Sequence, residues 1–391
     1  MRLLFRSRRL GIGVAIAAML GAVLVANPAM ASNDGSWVAV SDAAGLQVAI
    51  TTDGTSSWKT ETIASAAEYT WGSPSLVEQP ESGDMMVTAV RGDGSLWFFW
   101  QAPGSTAWNA QEVAGANSAY YYSQPAIVAE NTGTVDPAYE MIVAQDQNDT
   151  GSHFYWQKWG TATWSSEQLP TSTGIAKQPD IALTDNDTAI VAFIDSQGSG
   201  TTSFAVDELP YDMSGWNDVH VSTSIDGGGL MDISVVVQPN TGNLLVGGAG
   251  DSGDTYFFWS PSLTSWNQED IQSGDPDQKY GTYIQPLAIT GNEQGVTEGI
   301  PNDAGTCDWA VTQQDGPNPW VSNFIDCPGG YPTVPVLQVQ PGTFNEVGAA
   351  LQGDGDAYYY WQNDGTGAWN HETISGISDV EYYTMPSIYT G

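Results

Sequence analysis

Apolar residues along this chain come in short runs, and no stretch carries the spacing of a long amphipathic helix. The run Asp356–Gln362, DAYYYWQ, is typical of the more aromatic ones. Successive side chains of a strand point to opposite faces, so a half-buried strand alternates apolar and polar residues. Here Tyr358 and Tyr360 share one face while Tyr359 and Trp361 share the other. Such a strand has to be covered on both sides.

A repeat supplies the cover. Trp58, Trp108, Trp164, Trp216, Trp266, Trp320 and Trp369 follow one another at intervals of 50, 56, 52, 50, 54 and 49 residues. Five positions beyond them stand Ile63, Val113, Leu169, Val221, Ile271, Ile325 and Ile374. Each unit resolves into four short strands. The first carries a proline pattern, as in SPSLV, QPAIV, QPDIA, QPLAI, VPVLQ and MPSIY, from which one unit departs with MDISVVV. The second is apolar (MMVTAV, AIVAFI), the third aromatic (LWFFW, HFYW, YFFW, YYYW), and the phased tryptophan opens the fourth. Four strands roughly every 50 residues predict an all-β fold, a β-propeller whose blades pack face to face.

The ends extend the pattern. After the leader the chain begins at a second strand, SWVAV from Ser36, and it ends on a lone first strand, MPSIYTG. Together they supply one more blade. The expectation is a seven-bladed β-propeller of four-stranded blades, its ring closed by pairing the C-terminal strand with the N-terminal blade. Cys307 and Cys327 fall on the third and fourth strands of one unit, so an intramolecular disulfide is expected.

Residues 1–31 read as a secretory signal peptide: Arg2, Arg6, Arg8 and Arg9, then an apolar run from Leu10 to Ala26, then the cleavage site Ala29-Met30-Ala31. Residues 32–391 form the propeller, expected to be secreted and to hold no membrane span of its own. Only Lys59, Arg91, Lys158, Lys177 and Lys279 are then left to oppose 45 acidic residues, a net charge of −40. No basic surface can be built from that, which argues against nucleic acid and anionic membranes as partners.

The proline strand, the Gly/Asp turn, the aromatic strand ending in tryptophan and the tryptophan-opened fourth strand resemble bacterial seven-bladed β-propeller lectins. The resemblance covers essentially all of 32–391 and implies that fucose-type and related sugars bind in pockets between blades. TTDGTSSW (Thr51 to Trp58), echoed by NDGTGAW and QDGPNPW, is similar to the Asp-box of sialidases, a structural turn. Sialidases hold the sialate carboxylate with several arginines. Here Arg91 alone remains beyond the signal segment, which speaks against that activity.

Little else in the chain carries chemistry. His153, His220 and His371 are scattered over three units and read as blade or surface residues. No phosphate loop or H-E-x-x-H stands in the sequence, and no cofactor or metal is assigned. GDGDAY and DQNDTG offer oxygens for Ca²⁺ without the full spaced loop. The RGD at Arg91 reads as one more Asp-Gly turn. Loops leading into each new unit are aromatic, those between second and third strands are rich in aspartate, and a propeller places both on one rim. Trp71, Tyr122, Tyr283 and Tyr383, with Asp93, Asp149, Asp254 and Asp356, are the candidate ligand-binding residues. Rings stack on the C–H faces of sugars and carboxylates accept their hydroxyls. Inter-blade packing for the rings and Asx turns for the aspartates is the competing account. The expected function is carbohydrate binding without catalysis. The alternatives are a glycoside hydrolase or lyase using two rim carboxylates, and an extracellular protein-binding scaffold.

Overall fold

The computed structural model describes residues 35–390 apart from 53–56, 68, 132–137, 149–150, 172–174, 197–201, 211, 222–229, 239–240, 251–254, 272–287, 293–294, 302–307, 315–320, 326–335, 341–345, 363–368 and 381–383. Strands β1 (Gly35–Asp42), β2 (Gly45–Thr52) and β3 (Trp58–Ser65) come first. Blade 1 follows as β4 (Ser75–Glu78), β5 (Met85–Val90), β6 (Leu96–Gln101) and β7 (Asn109–Ala114). Blade 2 is β8 (Ala126–Ala129), β9 (Tyr139–Gln145), β10 (Ser152–Lys158) and β11 (Ser165–Gln168). Blade 3 is β12 (Ala176–Leu183), β13 (Ala189–Ser196), β14 (Thr202–Leu209) and β15 (Asn217–Val221). Blade 4 is β16 (Leu230–Val237), β17 (Leu244–Gly250), β18 (Thr255–Ser260) and β19 (Asn267–Ile271). Blade 5, β20 (Ala288–Asn292), β21 (Gly295–Pro301), β22 (Asp308–Gln314) and β23 (Val321–Ile325), is described in its backbone alone. Blade 6 is β24 (Val336–Val339), β25 (Glu346–Leu351), β26 (Ala357–Gln362) and β27 (Trp369–Thr373), and β28 (Ser387–Thr390) ends the chain.

Six blades, not seven, are built from four consecutive strands. The strands left over form one further sheet in the order β28-β1-β2-β3. There β28 pairs antiparallel with β1, Ser36 opposite Thr390 and Ala39 opposite Ser387. The blade count expected from the sequence is restated accordingly: six contiguous blades and a composite closing sheet. The first strands β4, β8, β12, β16, β20, β24 and β28 lie beside one another in that order, and β28 lies beside β4 again. The ring is closed.

Closure explains the strands that are apolar on both faces. In β1, Trp37 and Ala39 belong to the apolar cluster shared with Leu76, Met85 and Phe99 of blade 1. The intervening Val38 and Val40 belong to the cluster shared with Val347, Ala349 and Leu351 of blade 6. Phe98 and Phe99 likewise divide between the junctions on the two sides of blade 1. The closing sheet and blade 1 are each a central layer whose alternate residues serve two different cores.

Among the described residues, four of the phased tryptophans fasten their sheet to the one before it. Trp58 stands edge-on to Tyr359 of blade 6 with 5.2 Å between ring centroids, and its indole N–H donates to Glu372 at 2.8 Å. Trp216 does the same to Phe154 at 5.1 Å and to Glu167 at 2.6 Å. Trp164 stands against Phe98 at 5.4 Å and Trp266 against Phe204 at 5.6 Å. Around the inner ring, first strands would present an unpaired edge. Side chains of the preceding sheet cover it: Ser387 Oγ accepts Leu76 N–H at 3.0 Å, and Asp180 Oδ2 accepts Val235 N–H at 2.8 Å.

Candidate functional site

The connections that enter each sheet and the turns between second and third strands do share one rim. Gly92 N–H donates to Thr70 O at 2.9 Å, Asn117 N–H to Asp93 O at 2.9 Å, and Val380 N–H to Gly355 O at 3.2 Å. Where the aspartates of these turns are described, they cap them. Asp42, Asp93, Asp146 and Asp354 each accept with Oδ1 the N–H of the residue two positions on. A short acceptor one step into a turn satisfies a donor that would otherwise be left open, which is the reason for Asp at these positions.

On blade 1 the rim carries more than turns. Arg91 follows β5 directly and is joined by a backbone bridge to Trp71 in the connection before β4. Its guanidinium carbon lies 4.0 Å from the centre of the Tyr69 ring and 5.1 Å from that of Trp97. Arg91 Nε donates to Asp93 Oδ1 at 3.0 Å and a terminal nitrogen to Oδ2, a forked pair. Asp93 also accepts Ser95 N–H and Oγ–H, and Ser95 Oγ in turn accepts the Trp97 indole N–H at 2.8 Å. The arginine and then the serine hold the Asp93 carboxyl well below the usual carboxylate range. The RGD sequence is therefore closed on itself, its cation and carboxylate spent on each other.

Beside this cluster lies the connection from β7 to β8. Tyr121 Oη–H donates to Trp71 O at 3.0 Å, and Tyr120 N–H to Gln145 O at 2.8 Å. Tyr122 stands edge-on to Tyr121, 5.1 Å between centroids, and is 64% exposed. Gly72 permits the approach, because a Cβ there would lie 2.5 Å from Tyr121 O. An exposed ring thus sits on the connection tied to Trp71, whose main chain is bridged to Arg91.

The expected site residues fare unequally. Tyr122 and Asp93 lie together on the blade 1 rim. Trp71 brings only its main chain there, since its ring is 7% exposed and stands edge-on to Phe99 at 5.5 Å within the core. Asp356 lies on the blade 6 rim, where it donates its N–H to Asp354 Oδ1 at 3.0 Å. Burial first, then Asp354 and Asp379, raise its pKa. Tyr283, Tyr383, Asp149 and Asp254, and both Cys307 and Cys327, lie outside the described residues. Tyr69 belongs to the same aromatic connection as Trp71 but was not among the candidate residues, and Arg91 and Trp97 were not among them either. The available signal was that Arg91 is the one arginine beyond residue 31. Among the described residues, no group of three or more His, Cys, Asp or Glu is arranged to hold a metal ion.

No protein-family model matches the sequence, and no curated protein matches it. Solved structures do. The BP39L lectin of Burkholderia pseudomallei superposes with a TM-score of 0.66 at 15% identity, over 88% of this chain and 96% of that one. A variant of Aleuria aurantia lectin in complex with Fucα1-6GlcNAc gives 0.52 at 10% identity, over 78% and 95%. AofleA of Arthrobotrys oligospora gives 0.51 at 10% identity, over 82% and 89%. These likenesses show the β-propeller fold. The resemblance to a specifically seven-bladed family is corrected by the sheet topology, in which six blades are built from four consecutive strands.

Proposed function

We propose that this protein is a carbohydrate-binding propeller whose site is the blade 1 rim. The observation that carries the reading is the Arg91 guanidinium lying against the Tyr69 and Trp97 rings, with the exposed ring of Tyr122 on the neighbouring connection that Tyr121 ties to Trp71 O. A sugar offers an apolar C–H face and a set of hydroxyls, and this surface offers rings for the first and fixed donors and acceptors for the second. Because Arg91 and Asp93 neutralise each other, the site selects for hydrogen bonding and stacking rather than for charge. The lectins of the same fold, one of them solved with a fucosylated disaccharide, support the class of ligand. The positions matching Arg91 hold Asp42, Asp146 and Gln352 in other sheets, so one such site per chain is expected.

A glycan array identifies a ligand, and calorimetry with that ligand in monovalent form tests the site. Tyr122→Ala is expected to weaken binding roughly threefold to tenfold, the worth of one stacked ring, at a stoichiometry of one with the fold intact. An unchanged affinity in Tyr122→Ala and in Arg91→Lys would remove the site from blade 1. No binding by the wild type to any array sugar, with a polysaccharide shortened on incubation, would favour the hydrolase or lyase alternative.

A further inference from the structure

Blade 2 meets its neighbours through buried carboxyls that face other carboxyls. Glu140, 3% exposed, accepts a hydrogen bond from Gln157 Nε2 and is faced by Asp84 in the β4–β5 turn of blade 1. Glu130, 1% exposed, accepts Tyr139 N–H with Oε2 at 2.8 Å. Its Oε1 is buried with no donor, and Asp187 in the β12–β13 turn of blade 3 faces it. In blade 3, Asp207 is wholly buried, pairs across the strands with Asp218, and has no donor at either oxygen. Asp195 on β13 is the other charged group near it. On its face of β14, Ala205 and Leu209 belong to the apolar cluster that blade 3 shares with Phe154 and Met141 of blade 2.

The blade repeat shows what Asp207 replaces. Phe98 and Phe204 each meet the phased tryptophan of the next blade, and three positions beyond them stand Gln101 and Asp207. Gln101 Nε2 donates to Glu61 Oε2 of the preceding sheet at 2.8 Å. The corresponding glutamate on blade 2 is Glu167, already occupied by the Trp216 indole. An amide carries its donor at every pH, whereas a carboxyl of the same shape carries one only when protonated.

We infer that the two junctions of blade 2 are acid latches, in which Glu140 beside Asp84, Glu130 beside Asp187 and Asp207 beside Asp218 hold a proton in the closed ring and weaken the junction when they lose it. Two carboxyls brought together out of water cannot both stay charged. Burial, with the facing carboxylate adding to it, pushes Glu130 and Glu140 up to about 7 and Asp207 up to about 9. A raised folded pKa means the folded state binds more protons. The stability from these groups is therefore complete below their unfolded values near 4. It is lost as pH rises, through about 7 for the glutamates and about 9 for Asp207.

Thermal melts of the mature protein from pH 4.5 to 8.5 test this. The wild type should melt highest at the acid end. Glu130→Gln, Glu140→Gln and Asp207→Asn, which keep the shape of the protonated acid, should match it at pH 4.5 and melt above it at pH 8.5. On the order of a hundredfold in the unfolding constant is expected per glutamate across that range. Glu81→Gln, an exposed change of the same charge, separates a general effect of net charge and should leave the slope as it is. An infrared band of protonated carboxyl at pH 6, lost in the folded isosteric variants, reads the latch without a melt. Variants as steep as the wild type, or wild-type protein without that band, would overturn the inference.

Discussion

Ile388→Ala tests whether the ring is closed by its last strand. Ile388 is 7% exposed and packs in the cluster formed with Val38, Ala49, Val347 and Leu351, so it joins β28 to blade 6 as well as to β1. Truncating a buried Ile costs about 2–5 kcal/mol, and about 3 suits a site on a four-residue strand. With an unfolding entropy of about 2.1 cal/mol/K per residue over roughly 350 residues, the Tm should fall by about 4 °C if the ring melts as one unit. Ser387→Ala removes the acceptor of Leu76 N–H and should cost about 1–2 kcal/mol, or about 2 °C. Truncation after residue 383 removes far more. The pairing to β1 is lost, together with the bonds from Met385 N–H to Ser73 and from Thr390 N–H to Gln338. That chain is expected to aggregate through its two open edges. Differential scanning calorimetry on the three variants decides the matter. If Ile388→Ala and the truncated chain both melt within about one degree of the parent, β28 does not close the ring.

Gly72→Ala places a Cβ 2.5 Å from Tyr121 O, so the tyrosine loop must move; a cost of about 1–3 kcal/mol is expected, with weaker sugar binding in calorimetry, and unchanged values for both would detach that loop from the site. For the cysteines, non-reducing mass spectrometry is expected to find Cys307 joined to Cys327 within one chain. Two free thiols there would remove the disulfide.

The tryptophan phase was legible because it marks a contact that recurs between one sheet and the one before it. Trp58, Trp164, Trp216 and Trp266 all meet an aromatic ring of the preceding third strand. Trp71 and Tyr122 were not separable in the sequence, both being rings in connections that enter a blade. Their fates differ by how each is anchored. The bridge to Arg91 turns Trp71 inward onto Phe99, while Tyr122 follows a tyrosine whose hydroxyl is tied to Trp71 O. Asp207 was hidden because FAVDEL lacks the terminal tryptophan by which LWFFW, HFYW, YFFW and YYYW align, so its match to Gln101 appears only through the ring that Phe204 meets.

The blade-to-blade departures bear most directly on function, since folding alone does not require them. The turn that starts at Arg91 is closed by its N–H donating to Ser95 O at 2.8 Å. The same backbone bond is made by Asp146 to Gly151 O and by Gln352 to Asp356 O, each at 2.9 Å. A cation, an acid and an amide all serve, so the turn does not determine the side chain. A charge left over from a structural role would pair with its neighbour and stop there. Arg91 does pair with Asp93, yet it also draws Tyr69 from a separate connection over one face and Trp97 toward it from the third strand. Three elements converge on a group that the repeat can do without. That convergence is the physical reason to look for the ligand on blade 1 and not on the acidic turns of the other sheets.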